Sequence, residues 1–594
     1  MVATALLVTI TSAQGLAYEL VPDLAGPQPL GTTVTWEVRG EQGDPTDRID
    51  YRLAVRRVGS GEPARMVYDL AVRNRMAWTP MTEGEYQVTA QVRNRDTREL
   101  TTLRARYQVE PRVALAPEVF ATNNPLVALY SAPACAPGNT LEVSFGVAAD
   151  GALQTTDRKP CRANLTVNVL VAGMRGGTVY GMREVVRDAA GSVVRLGPRL
   201  SFTTGSAPED LPVVTVTIPP APGASLQDDI LLAGPTATLG STVFATDLEG
   251  NVVWFYERPD DSAVQLMRPM AGGNIMLLPL GETHDRAQLR EVDLAGNTVR
   301  QTTGRRISEQ LKRRGMRPMS VIHHEIRELD NGHIVLLGSV ERLVEGVQGE
   351  GLVDIVSDVI VALDQNMQVV WASDLWDVLD PTREALLGEV CVPNGPGCPL
   401  LFLAEEANDW THSNAIGYSP ADGNLIISSR HQDWVIKLDY RDGSGTGGLV
   451  WRLGREGDFT LAGTPRDRWF SHQHDSNYVS DNRVLVYDNG NANPGCQDLG
   501  LCGSWARAYD LDEATMTATL AYEAYLEQFS FAVGSAQPLS NGNYHSNSGI
   551  YDGGQTARAQ ETDAQGNVVF ELEVGLRSYR SFRMQNMYTP PDYY

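Results

Sequence analysis

The sequence predicts an all-β protein, a six-bladed β-propeller preceded by two immunoglobulin-like β-sandwich domains. Three observations carry that prediction. The 594 residues hold 56 Gly and 33 Pro, with scarce helical periodicity, so the chain turns often. Two early stretches alternate apolar and polar residues between turn residues. From about residue 226 onward, one hairpin pattern recurs six times.

Residues 1–17 read as a signal-peptide remnant. An apolar run, Val2 to Ile10, precedes small residues Ala13 and Ala17, with a cleavage site at Gly15-Leu16-Ala17. No basic residue precedes the run, and the alternative is a first β-strand of the next domain.

Residues 18–112 read as the first sandwich. Thr33 to Val38, Tyr51 to Val55 and Gly84 to Val92 alternate as half-buried strands do. Residues 113–225 read as the second, with strands at Leu141 to Phe145 and Leu165 to Val169. The Pro-rich stretch Ile218 to Pro222 reads as its linker.

Residues 226–594 read as the propeller. Its repeats are an Asp-initiated turn between two strands: Asp247 to Trp254, Asp293 to Val299, Asp364 to Trp371, Asp439 to Trp451, one beginning at Asp510, and Asp563 to Phe570. Second strands with their own turns precede most of them, as at Asn331-Gly332, Asp422-Gly423 and Asp481-Asn482. Four strands per unit at wide, uneven spacing fit propeller blades with large central loops, and such loops are where function is usually placed.

Six cysteines fall into two close pairs, Cys391/Cys398 and Cys496/Cys502, and a third, Cys135/Cys161. The spacings are not those of a zinc ribbon. Three disulfides place the chain in an oxidising compartment, periplasmic or secreted.

Charge excludes several functions. Acids number 73 against 49 bases, for a net −24, and only Lys159, Lys312 and Lys437 are lysine. Such a chain is a poor nucleic-acid binder. No apolar run reaches the ~18 residues of an integral membrane segment.

Nine histidines occur and none precedes residue 284. Three clusters stand on or just before the first strand of successive blades: His323-His324-Glu325, His412-Ser413-Asn414 and His472-Gln473-His474-Asp475. First strands line a propeller's channel, so the three would face one axial site. Arg430, at the end of a second strand, joins the same mouth. Arginine forks onto a tetrahedral oxyanion. Neutral histidine serves as base, nucleophile or donor near neutral pH. No serine elbow or P-loop occurs. The set suits sulfuryl or phosphoryl transfer, with a covalent histidine intermediate as one route. Two other readings remain open: ordinary packed histidines, and a metal site on His472-x-His474. The repeat aspartates read as turn-formers rather than ligands.

At these residues the chain resembles the bacterial arylsulfate sulfotransferases that need no nucleotide donor. The segments are His323-His324-Glu325-Ile326 with Asn331-Gly332, Trp410 to Ile416, Ile426 to Gln432, Gln473-His474, Asp488-Asn489-Gly490, and the C-terminal Tyr579-Arg580 and Tyr588. The resemblance covers about 226–594; the first sandwich is extra relative to the simplest members. It implies a ping-pong transfer from aryl sulfates to phenols, with no cofactor and no metal. His474 would attack sulfur and become sulfohistidine. Arg430 would bind the sulfuryl oxygens. His412 and Asn414 would bind the group or shuttle a proton. His323 or His324 would complete the site, and aligning His-His-Glu on Gln-His-Asp favours His324. His431, His472 and His545 would be supporting residues. A homodimer is an option the sequence leaves open. A non-catalytic binding or adhesion protein, and a metal-dependent hydrolase, are the competing functions.

Overall fold

A computed structural model describes residues 10–11, 17–40, 48–147, 153–224, 226–236, 242–258, 263–280, 288–393, 395, 397–463, 468–500, 502–551 and 554–591. Most of the expected signal remnant and His284 lie outside the described residues. The regular secondary structure is almost entirely β-strand.

Among the described residues, six sheets built on four antiparallel strands each follow one another from Ile230 to Met584; further strands extend four of them, and the second continues through strand Arg65–Ala71, paired parallel at Gln301 and Tyr68, into a nine-stranded sheet. Their innermost strands are Ala263–Pro269, Val321–Glu328, Ser413–Ser419, His474–Ser480, Ser535–Pro538 and Ser578–Met584. The last of these pairs with Ile230–Pro235, so the two ends of the region share one sheet. Val214–Ile218, just before the Pro-rich stretch, adds a fifth strand along Val568–Val574.

An apolar layer separates each neighbouring pair of sheets. Alternate residues of one strand enter opposite layers, as a period of two requires. Ile334 and Leu336 meet Met276 and Leu278 of the preceding sheet, while Val335 and Leu337 meet Leu425 and Ile427 of the following one. Leu231 and Phe244 of the first sheet meet Ala557 and Phe570 of the last. Strands buried on both faces explain the continuous Val/Ile/Leu runs in the repeats.

Most of the repeat aspartates act as turn-formers, but Asp510 does not: it lies within strand Trp505–Asp512 and pairs with Arg483 at 2.6 Å, and Asp512 caps the turn instead. Asp247 Oδ1 accepts from the backbone N–H of Glu249 at 3.0 Å and Asn251 at 2.9 Å. Asp293, Asp364 and Asp563 make the same pair of bonds two and four residues on. A repeated chemical turn fixes a repeated register.

Ahead of the six sheets stand two units, each of two sheets facing across a core. The first core gathers Trp36, Leu53, Trp78 and Val88. The second gathers Tyr130, Val143, Phe145 and Val169, beside the Cys135–Cys161 disulfide. Cys391–Cys398 and Cys496–Cys502 are also bonded, as the spacing predicts.

A helix, Gly304–Arg313, ties the first unit to the six-sheet body. Thr303 caps it by accepting from Arg306 N–H at 3.2 Å. Arg305 pairs with buried Asp50 at 2.5 Å, Arg306 with buried Asp69 at 3.1 Å, and Glu309 with Arg93 at 2.8 Å.

Candidate active site

Three of the innermost strands lose their regular pairing where the histidines stand. The register shifts between His323 and Ile326, between Ser413 and Ala415, and between His474 and Asn477. Bulges re-aim side chains that simple alternation would send into the sheet layers. His324 (φ 55°), His412 (φ 42°), His472 (φ 51°) and Asp475 (φ 51°) adopt left-handed backbone. Such conformations cost of order 1–3 kcal/mol each and collect at functional sites.

The re-aimed rings meet. His324 lies edge-on to His412 with ring centres 4.9 Å apart, and edge-on to Tyr579 at 5.7 Å. Tyr579 also faces His474, at 6.3 Å. His431 stacks on His412 at 4.4 Å. Arg430 opens a short turn, Arg430–Gln432, directly after strand Asn424–Ser429. Its Nη1 donates to His431 Nε2 at 2.5 Å and its Nη2 to the Phe531 carbonyl at 3.2 Å, while its buried Nε has no partner. His324, His412, Arg430 and His474 thus come together.

The remaining site residues take distinct places. His323 turns to Asp358, with Nε2 at 3.0 Å from the carboxylate, and its Nδ1 lies 2.7 Å from His324 Nδ1. Of the adjacent pair, His324 is the one beside His412 and Tyr579. Asn414 donates from Nδ2 to the Gln473 carbonyl at 2.8 Å, while its buried Oδ1 has no partner. His472 and His474 do not converge on one point. His472 is held between Asp433 (2.9 Å) and Glu389 (2.5 Å). His474 Nδ1 is 2.7 Å from Asn489 Oδ1, and its Nε2 accepts from Val533 N–H at 3.2 Å. His545, far along the chain, bonds Ser581 at 2.9 Å.

Beneath the rings lies a buried charge lattice. Glu325 accepts from Arg268 at 2.9 and 2.7 Å and from Arg580 at 2.6 Å. Asp475 stands 3.5 Å from Arg268 and 3.4 Å from Arg580. Burial alone would raise the Glu325 carboxyl, but the two guanidinium groups hold it down at about 2. Glu325 and Asp475 each follow a site histidine directly, and that recurring His-acid step is the signal that points to the lattice. Arg268 carries no such mark.

Burial governs the histidines too. It drives His324, His431 and His474 well below the ordinary value, with nearby His and Arg charges adding to the shift. These rings are neutral near pH 7 and keep lone pairs. Burial would also lower His472, but its bonds to Asp433 and Glu389 outweigh that and raise it.

These shifts set the pH dependence of stability. Groups lowered in the folded state lose their contribution as pH falls below 6.5, and Glu325 loses its own between 4.5 and about 2. His472, raised from 6.5, contributes fully below that value and loses its contribution as pH climbs through the folded pKa. Tm is expected to peak near neutrality. His472→Gln should flatten the alkaline limb while leaving the acid limb in place, as read by thermal unfolding across pH.

Asp409, His412 and His431 bring one donor atom each to within 4.8 Å of one another. His412 Nδ1 is already 2.6 Å from Asp409 Oδ2, and the Arg430 guanidinium donates to His431. A fixed cation in contact with a ligand ring disfavours a dication there.

The family model for arylsulfotransferases (ASST) matches residues 221–583. The chain belongs to the arylsulfotransferase family. Among curated relatives it is similar to the arylsulfate sulfotransferase AssT of Escherichia coli, 35% identical over 136 residues, and to that of Lelliottia amnigena, 34% identical over 136 residues. Each match covers 19% of this chain and 22% of the relative, so the aligned part is about a fifth of either protein. Among solved structures, a quinoprotein alcohol dehydrogenase-like protein from Bacteroides thetaiotaomicron aligns over 95% of this chain and 97% of its own, at 8% identity and TM-score 0.31. So low a score carries no argument.

Proposed function

We propose that this protein moves a sulfuryl group from an aryl sulfate to a phenol, in two steps, through a sulfohistidine on His474. The observation that carries the proposal is a neutral, buried His474 whose Nε2 holds a lone pair close to an arginine with an unpartnered Nε. Nε2 gives up the bond it accepts from Val533 N–H and uses that lone pair to attack sulfur as the S–O bond to the aryl group breaks, and the electron pair leaves on the phenolate. Arg430 binds the sulfuryl oxygens, where charge builds in the transition state. His324 takes the acceptor's proton in the second step. His323, held by Asp358, orients His324 through the contact between their Nδ1 atoms. His412 borders the transferred group, and Asn414 Oδ1 accepts from a phenol hydroxyl.

The scaffold in this reading is a six-bladed propeller, residues 226–594, behind two immunoglobulin-like sandwiches at 18–112 and 113–225. Its three disulfides suit a periplasmic or secreted protein. Among the described residues, no helix is long and apolar enough to cross a membrane.

Incubation with 4-nitrophenyl sulfate and a phenol should yield nitrophenol and a new aryl sulfate. One observation favours a second reading, a metal-dependent hydrolase: the Asp409, His412 and His431 donor set. Chelator separates the two. Transfer is expected to continue unchanged in excess EDTA, and loss of turnover that zinc restores would establish the hydrolase.

A further inference from the structure

We propose that Asn489 is a positioning residue that fixes which nitrogen of His474 attacks, and that its neutral amide keeps the sulfated histidine reactive. The proposal rests on the reading of His474 as nucleophile.

The Asn489 side chain is buried, at the end of strand Arg483–Asp488. Its Nδ2 donates to two backbone carbonyls, Ser530 at 2.6 Å and Val533 at 2.9 Å. Only an amide NH2 can serve both, so the orientation of the group is determined by its neighbours. The atom left facing His474 Nδ1, at 2.7 Å, is therefore Oδ1. An amide oxygen only accepts, so Nδ1 must carry the proton. The other nitrogen gives the same answer independently. Val533 N–H points at Nε2 from 3.2 Å, and a backbone donor there requires a lone pair. Two contacts, from opposite sides of the ring, select one tautomer.

The segment Ser530 to Val533 links these contacts to the sulfuryl subsite. Its Phe531 carbonyl accepts from Arg430 Nη2 at 3.2 Å. Asn489 therefore holds in place both the nucleophile and the turn that braces Arg430.

The choice of amide over carboxylate has a chemical consequence. When the Nε2–S bond forms and the S–O bond breaks, Nδ1 keeps its proton and the ring becomes positive beside the negative sulfuryl group. In the second step the acceptor oxygen attacks sulfur, its proton passes to His324, and the N–S pair returns to Nε2. A carboxylate at 489 would stabilise the charged ring and make histidine a poorer leaving group. A neutral amide orients the ring without that trap.

The test is nitrogen-15 NMR of the histidine-labelled full chain, with His474 assigned from the His474→Gln spectrum, together with kinetics. The native protein should show Nδ1 protonated and Nε2 bare. Asn489→Ala should lose that bias and lower kcat by about 10²-fold or more, with KM moving less than about threefold. Asn489→Asp should keep the tautomer, shift the acid limb of the pH–rate profile upward and accumulate sulfated enzyme. Asn491→Ala, which removes only a 2.9 Å bond to the Phe531 carbonyl, should retain native kcat and so control for loosening of the segment. A protonated Nε2 in the native protein, or Asn489→Ala behaving like Asn491→Ala, would overturn the proposal. Should the native chain transfer no sulfuryl group while the tautomer still depends on Asn489, the proposed function fails and the positioning role stands.

Discussion

Replacing His474 with alanine is expected to abolish aryl-sulfate turnover, lowering kcat by at least about 10³-fold while the fold survives. His474 is 2% exposed, so water does not solvate its nitrogens. Burial and the neighbouring Arg430 charge keep it neutral, and a neutral ring is the nucleophilic form. Its replacement leaves the Asn489 Oδ1 and the Val533 N–H without their partner. That costs stability of order 1–3 kcal/mol per orphaned group, well short of unfolding the six-sheet body. Nitrophenol release and thermal unfolding, measured on the same sample, separate loss of chemistry from loss of fold. Residual turnover within about tenfold of native would mean that another group takes the sulfuryl.

The second large effect concerns Arg430. Arg430→Ala is expected to lower kcat/KM for 4-nitrophenyl sulfate by about 10²- to 10³-fold, the size seen when one donor to a developing oxyanion is lost. Two of its nitrogens are already committed, to His431 and to Phe531 O. The buried Nε is not, and an unpaired buried donor is costly unless a ligand satisfies it. Arg430→Lys should recover only part of the activity, because an ammonium cannot bind His431, Phe531 and a sulfuryl oxygen from one rigid plane. A lysine variant at full activity would show that charge alone suffices.

Much of this was legible in the chain itself. The Asp-initiated turns, the apolar strand runs and the cysteine pairs are local signals, and local chemistry fixes each of them. The histidines stand on or beside successive innermost strands, so repetition brings them to one mouth, and the bulges there turn the rings toward each other. What escaped the reading has a physical reason in each case. His323 and His324 could not be told apart by alternation, because a bulge breaks the alternation at that point. Asn489 belongs to the sequence resemblance, but its bond to His474 joins residues 15 apart across a strand pair. Arg268 and Glu389 reach the site from other elements, a neighbouring innermost strand and an inserted loop, and neither carries a local pattern. Charge pairing across sheets is a tertiary property, and the sequence shows only that the acids follow the histidines.

The central step of the proposed transfer is a covalent bond between His474 Nε2 and sulfur. Mixing the native protein with 4-nitrophenyl sulfate in the absence of a phenol, quenching at alkaline pH and mapping peptides by mass spectrometry tests it directly. One sulfuryl group should appear on the peptide containing His474, with one equivalent of nitrophenol released, and should disappear on addition of a phenol. Rapid transfer with no adduct on His474, or an adduct on another histidine, would contradict it.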